Sequence, residues 1–586
     1  MTLPINAVLP ELLATLGERS NAVLVAPPGA GKTTAVAPAL LDQPWCTGQV
    51  LLLSPRRLAA RAAAERMAQL AGEQVGQSIG YATRMDSRQS AKTRVLVLTE
   101  GIFRNRIQDD PELSGVSAVL FDEVHERSLD SDFGLALALD AQEALRQDLR
   151  LLAMSATLDG ARFAALMGHA PVIESEGRSW PLELRHIGRS AERRIEDDMA
   201  ITIRRALVEE AGDLLAFLPG VAEIERTAER LEGLSPSIRL HKLHGSLEPA
   251  EQRAAIRTAE PGTRKVILAT SIAETSLTID GVRIVVDSGL ARRPRYDRSA
   301  GLTRLVTEKA SQAAATQRSG RAARQGPGVA YRLWEAAATS GMPPYDPPEI
   351  LESDLSALLL DCAQWGVSDP SSLKWIDPPP AAAVQEARHR LGVLEALDGE
   401  GRISAHGKAI ARLPLEPRLA HMLIRAGEMG LGRLAAEVAV LITERGLGGS
   451  DIDLTQRLQR WRREGGRRAE AGRGLARRWE RLIDLPLAGG GRGGQAAPSA
   501  PAFPPPAPPV SGRGEDAGIC LALAFPDRVS RRRNADGADW ISVGGRAFRL
   551  DPLSPLAREE WLAVGEVQGS AAGARILSAA PIAEAS

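Results

Sequence analysis

The chain has 586 residues, in which 72 Lys and Arg face 73 Asp and Glu, a formal charge of −1. That balance excludes a histone-like polycation. It permits a local basic groove, because field follows the distribution of charge and not its sum. The composition, 44% hydrophobic and 25% charged, is that of an ordinary globular protein with room for roughly three to five domains. Seven of the basic residues are Lys and the rest Arg, a preference read as coding bias. Cys46, Cys362 and Cys520 make neither a zinc-type spacing nor a disulfide framework and fit a reducing cytosol. The N-terminus MTLPINAVLPELLATLGERS lacks the basic and apolar blocks of a secretory signal. No stretch approaches the roughly 18–20 apolar residues of a membrane span. The expectation is a cytoplasmic chain with no membrane partner.

Residues 1–175 alternate short apolar runs with helical patterns. The runs at 21–26, 49–54, 94–99, 118–123 and 151–157 read as buried strands, and their continuous Val and Leu content predicts a parallel sheet covered on both faces. Helical stretches such as 57–72 supply the crossovers. Residues 176–340 hold a second series, with strands expected at 213–219, 237–245, 264–270, 282–289 and 328–334. The fold class is therefore α/β, two tandem domains with helices on both sheet faces. Residues 341–485 turn helical, with a helix and small hairpin expected across 391–415 and an Arg-rich helical stretch from 446 to 480. A Gly/Pro-rich linker follows at 486–515, and residues 516–586 read as a small β-rich module, complete or incomplete.

The first strand runs into APPGAGKTT, residues 26–34. Gly29 and Gly31 permit a tight turn, so the amides of Pro27, Pro28, Gly29, Ala30, Gly31, Lys32, Thr33 and Thr34, the prolines aside, can face phosphate at a helix N-terminus. Lys32 would neutralise the outer phosphates and the Thr33 hydroxyl would ligate Mg²⁺. The usual first glycine of this pattern is Ala26, at which the loop must keep a negative φ. FDEVHERSLD, 121–130, closes the strand AVLF. There Asp122 can hold Mg²⁺ through a water, and Glu123 can accept a proton from attacking water. His125 is read as the link from the nucleotide site to the second domain. In QRSGRAAR, 317–324, Arg321 and Arg324 fall near one helical face, and arginine from a facing domain stabilises charge as a phosphoryl bond breaks. Gln317 can orient the water. Taken alone, this stretch would be a solvated Arg helix; the phosphate loop in the other domain decides against that.

With these segments in this order, together with SPRRLAA (54–60), GYATR (80–84), TEGIF (99–103), SAT (155–157), FLPG (217–220), LHGSL (243–247) and ATSIAETSLTI (269–279), the chain resembles the DEAH-box helicases of superfamily 2 over roughly residues 10–480. The resemblance implies two RecA-like domains, then a winged-helix and ratchet-like helical region. It implies ATP, or NTP used loosely, with Mg²⁺ as cofactor. It places Arg66 on adenine, lets Ser155 and Thr157 couple hydrolysis to movement, and puts Arg56, Thr99 and Thr270 on the nucleic-acid backbone. The implied partner is single-stranded nucleic acid, with RNA favoured over DNA, the implied motion is 3′ to 5′, and the chain is expected to act as a monomer. Departures are DEVH for DEAH, Ala323 for a glycine, and Leu290 where many relatives carry a base-stacking Phe. Contacts to phosphate read no sequence, so binding should be sequence-tolerant. The Arg cluster at 457–478 either extends that groove or is a solvated face. Trp461 and Trp479 are expected in the core. An NTPase that remodels ribonucleoprotein without unwinding, and a non-catalytic scaffold, are the alternatives left open.

Overall fold

A computed structural model of the protein describes residues 3–27, 29–83, 86–156, 160–176, 180–190, 192–247, 249–274, 279–297, 302–444, 446–484, 515–569 and 572–583. Its contacts group into two compact units. The first comprises residues 1–296, 303–353 and 371–380, and the second 297–302, 354–370 and 381–586.

In the first unit, β1 (Asn21–Val25), β2 (Gln49–Ser54), β3 (Ile79–Ala82), β4 (Ser87–Arg88), β5 (Val95–Thr99), β6 (Val116–Phe121), β7 (Arg150–Ser155) and β8 (Val172–Glu174) form one sheet. Its order is β4-β3-β5-β2-β6-β7-β1-β8, and only β4 runs antiparallel to its neighbour. The central strands are buried along almost their whole length, as helices on both faces require. On one face Ile5, Leu12, Val36, Leu40 and Met67 pack against Leu24, Val50, Leu52, Val97 and Leu120, each such burial stabilising by roughly 1.5–3 kcal/mol. All the functional loops leave the carboxyl ends of these strands.

The second sheet is built from β9 (Leu182–His186), β10 (Asp213–Phe217), β11 (Ile238–Leu243), β12 (Arg264–Ala269) and β13 (Val282–Asp287). After a hairpin, β14 (Leu290–Asp297) and β15 (Leu302–Lys309), it is completed by β16 (Gly328–Arg332). Its order is β11-β12-β10-β13-β16-β9, all parallel. Separate apolar clusters cover its two faces. The ten strands expected from apolar runs are present, with ends within two residues of expectation. β3, β4, β8, β9 and the hairpin were not expected. LARRPRYD and LTRLVTEK carry too many charges to read as strands; they are held by cross-strand pairs such as Arg292 with Thr307 and Arg295 with Glu308.

The second unit carries the helices Ser356–Trp365, Ala381–Val393, Ala405–Ala411, Pro417–Glu428, Gly432–Thr443, Leu454–Arg463, Arg467–Asp484 and Glu515–Ala524. The hairpin expected within 391–415 is one antiparallel bridge, Leu397 to Ile403. Ser404 then caps a new helix by accepting from the Gly407 amide at 2.8 Å. Trp461 and Trp479 are core residues. The Arg-rich stretch divides: Arg457 is buried and donates to the Leu441 carbonyl, whereas Arg463, Arg467, Arg477 and Arg478 are exposed. The linker expectation at 486–515 falls outside the described residues, save Glu515, which opens a helix where a β-rich tail was expected. Beyond it β17 (Val529–Arg532), β18 (Asp539–Ser542), β19 (Ala547–Arg549), β20 (Trp561–Gln568) and β21 (Ala572–Pro581) close a barrel in the order β17-β18-β19-β21-β20. β19 and β21 pair parallel, and Trp540, Phe548, Leu562 and Ile576 fill the interior. This is a five-stranded barrel of the OB type. No described helix is long and apolar enough to cross a membrane.

Candidate active site

The loop after β1 makes its turn through Gly29 at φ 88° and Gly31 at φ 94°, a region that disfavours any side chain. A Cβ on Gly31 would also lie 2.7 Å from the Leu3 side chain. Ala26 keeps a negative φ and donates its amide to the Ser155 carbonyl at 2.9 Å, so alanine is tolerated there. Gly31 is the N-cap of the helix Lys32–Leu40. The helix therefore opens with its free amides and partial positive charge at the loop.

Lys32, 4% exposed, donates to Glu123 Oε2 at 2.8 Å and lies 3.7 Å from Asp122. Burial alone would lower the Lys32 pKa; the two carboxylates outweigh it and raise it. Thr33 Oγ1 donates to Asp122 Oδ2 at 2.6 Å. Burial pushes Asp122 up. On Glu123 burial acts in the same upward direction, but Lys32, His125 and Arg324 overcome it and hold the carboxyl below its usual range. Glu123 sits at φ 54°, left-handed backbone that is rare for a non-glycine residue and costs of order 1–3 kcal/mol.

His125 bridges the two sheets. Its Nδ1 accepts from the Ala156 amide at 3.2 Å, and its Nε2 lies 2.9 Å from the Gln317 amide group. Burial lowers its pKa, so the ring is neutral. With Nδ1 accepting, the neutral ring carries its proton on Nε2; the Gln317 atom facing it is the amide nitrogen, so a hydrogen bond there requires the amide turned to present its oxygen. Ser155, fully buried at the tip of β7, anchors the same corner.

From the second sheet, the helix Gln312–Gly320 delivers Gln317 and runs into Arg321 and Arg324. Arg321 is 4% exposed and donates through Nε to the Glu274 carbonyl at 2.9 Å. Both arginines lie near enough to Glu123 to feel its charge, while burial pushes Arg321 well down and Arg324 to about 10. Arg318, the third of the series, turns inward. It pairs with Glu274 at 2.5 Å and Asp287 at 2.8 Å, with its guanidinium over Phe217. The spacing sets Arg321 and Arg324 near one helical face and gives Arg318 no role.

Arg56 and Thr99 leave the adjacent strands β2 and β5, and Thr270 follows β12. Arg56 donates to the Ser271 carbonyl at 2.7 Å, next to Thr270, so these candidates meet across the two sheets. Arg66 stands exposed on its helix and bonds Gln69 at 2.9 Å. Pro27, Ala30 and Thr34 lie in or beside the phosphate loop. Pro28, Thr157, Arg84 and residues 275–278 lie outside the described residues. Three residues inside the quoted segments escaped the sequence reading. These are Glu274, which serves two arginines, Arg127, and Glu100, whose Oε2 accepts from Ser128 at 2.5 Å and whose carboxyl burial pushes up to about 8. Their only signal was a charge within a segment already read for other residues.

Known proteins match both of these domains. The DEAD/DEAH box helicase family matches residues 6–165, and the helicase conserved C-terminal domain matches residues 199–326. The ATP-dependent RNA helicase HrpB of Escherichia coli (strain K12) is 43% identical over 584 residues, which cover 99% of this chain and 68% of that protein. The chain belongs to the DEAD/DEAH box helicases. It is an ATP-dependent helicase enzyme. The pre-mRNA-splicing factor ATP-dependent RNA helicase prp22 of Schizosaccharomyces pombe is 34% identical over 453 residues, covering 75% of this chain and 38% of that one. A crystal structure of Escherichia coli DEAH/RHA helicase HrpB superposes with a TM-score of 0.85 at 40% identity, covering 100% of this chain and 71% of the other.

Proposed function

We propose that this helicase hydrolyses ATP to move 3′ to 5′ along single-stranded RNA, with Lys32, Asp122, Glu123, Gln317, Arg321 and Arg324 as its active site. The observation that carries the reading is the buried Lys32–Glu123 pair beside arginines from the second sheet, at 2.8 Å. A triphosphate entering the glycine loop would draw the Lys32 ammonium toward its outer phosphates. Glu123 then loses its closest cation, its proton affinity rises, and it becomes a competent acceptor for the proton of attacking water. Gln317, held by neutral His125, orients that water. Arg321 and Arg324 meet the charge that gathers on the transferred phosphoryl group.

The donor set suits Mg²⁺. Thr33 Oγ1 and Asp122 Oδ2 already share a proton at 2.6 Å, and no cluster of three or more ligating side chains exists among the described residues. An ion held by one carboxylate, one hydroxyl and substrate phosphates is the expected pattern. When bound, it would neutralise charge between the outer phosphates. Arg66 is proposed to lie on the adenine, with Leu290 leaving the opposite face without an aromatic partner, so selection among NTPs should be loose.

For the polymer, Arg56, Thr99 and Thr270 are proposed to hold phosphates. The RNA assignment rests on the family and on relatives that are named as ATP-dependent RNA helicases. The test is NTP turnover with single-stranded RNA, single-stranded DNA and no polymer at two salt concentrations, beside a strand-displacement assay. RNA should stimulate most, and binding should weaken steeply with salt; the yardstick is roughly 10³–10⁵ between 50 and 200 mM for 6–10 duplex contacts, and a single strand should lose less, roughly 10²–10⁴. Turnover indifferent to polymer would overturn the reading. Stimulation without displacement would favour remodelling.

A further inference from the structure

Two residues beyond His125 the same turn ends in Arg127. Its backbone is left-handed, φ 52°, and its side chain is 6% exposed. With Glu123 also left-handed, the short 3₁₀ turn Val124–Glu126 is a bracket pinned at both ends. Arg127 has three attachments. Its guanidinium pairs with Asp132 at 2.9 Å on the following helix, and with Asp377 at 2.7 Å. Its carbonyl accepts from the Glu349 amide at 3.1 Å. The Glu349 carboxylate in turn accepts from the Leu129 amide at 2.8 Å, capping the helix Leu129–Ala144.

Glu349 and Asp377 flank residues 354–370 in the chain. Both belong to the first compact unit, whereas 354–370 belong to the second. The segments entering and leaving the second unit are thus both fastened to the turn that carries Glu123 and His125. The outgoing segment is docked further by Trp375 stacking on Phe133, centroids 5.9 Å apart, and by Arg162 pairing with Asp377 at 2.9 Å.

We propose that Arg127 is a positioning residue that couples the nucleotide-facing turn to both connecting segments, through Asp377 and Glu349. When Glu123 exchanges its partner, the bracket carries the displacement four residues along to Arg127, and the connectors follow. This rests on the helicase reading above. It adds a route by which polymer occupancy and hydrolysis are linked, with no new group touching the substrate.

The test uses the full chain with Asp377→Asn, Asp377→Glu and Glu349→Ala, the last removing the oxygen that accepts from the Leu129 amide, and measures ATP turnover with and without poly(U). Neither residue touches the proposed active site, so basal turnover and the KM for ATP should stay within about twofold. Polymer-stimulated kcat should fall roughly tenfold in Asp377→Asn and Glu349→Ala. Asp377→Glu should recover it. Glu349 is exposed, so its variant carries the test should Asp377→Asn fail to fold. Stimulation equal to that of the parent chain in the variants would overturn the coupling alone. Basal and stimulated rates falling together would assign Arg127 a purely structural role and overturn it too. A parent chain that poly(U) does not stimulate would instead overturn the helicase reading on which the proposal stands.

Discussion

At the tips of β1 and β6 the first sheet buries a cation against two carboxylates of its own domain, Lys32 with Asp122 and Glu123. The second sheet uses its charges differently. Arg318 is satisfied internally by Glu274 and Asp287, while Arg321 and Arg324 feel Glu123 of the other domain. The two sheets have the same parallel architecture, yet one supplies a complete phosphate-loop and carboxylate constellation and the other lends cations. If the proposed site is shared in this way, it is assembled only when the domains meet, and hydrolysis should be sensitive to their separation.

Substitutions can break this division. Arg321→Ala should lower polymer-stimulated kcat by about 10³-fold or more, as for other arginines facing a transferred phosphoryl group, in a phosphate-release assay. Glu123→Gln should cost about 10²–10⁴-fold in turnover while leaving nucleotide binding measurable by equilibrium dialysis. Wild-type turnover in either variant would dissolve the cross-sheet site. Arg318→Ala should act on the fold, because it strands Asp287 and Glu274; losing one partner of a buried pair costs about 3–5 kcal/mol, seen as a lower melting temperature than in Arg321→Ala.

A pH experiment sharpens the contrast on the first sheet's side. Burial pushes the Glu100 carboxyl up to about 8 from its ordinary 4.5, opposed by the Ser128 bond. Between those values the folded protein holds a proton that the unfolded chain has released, so this group makes stability fall as pH rises through that window. Glu100→Gln should flatten the slope in denaturant titrations from pH 5.5 to 8.5; an unchanged slope would remove Glu100 as its source. The smallest effect expected is from Arg56→Ala, which should lower the salt dependence of RNA binding by about one phosphate contact without changing base preference.

The long apolar runs were legible as strands because a parallel sheet demands them, and both tandem sheets appeared where Val and Leu repeated. The hairpin β14–β15 was not legible: LARRPRYD and LTRLVTEK break their apolar positions with charges, and pairing across strands rather than burial defines it. Across 391–415 the expected hairpin is the single bridge Leu397–Ile403, and the helix Ala405–Ala411 after it was not legible, because seven residues opened by the Ser404 cap are too few to show a helical period. In the candidate site, residue types and spacing singled out Lys32, Thr33, Asp122 and Glu123. They separated Arg321 and Arg324 from Arg318, but were silent on the tautomer of His125, on what Arg318 pairs with, and on Arg127.

From residue order alone came the elements, the glycine turn and the identity of the charged groups, since these depend on neighbours a few positions apart. Folding in three dimensions selected which charges pair, which stay buried and which proton sits where. Those outcomes depend on desolvation and on partners such as Gln317 and His125, which lie 192 positions apart in the chain and which no local pattern can bring together.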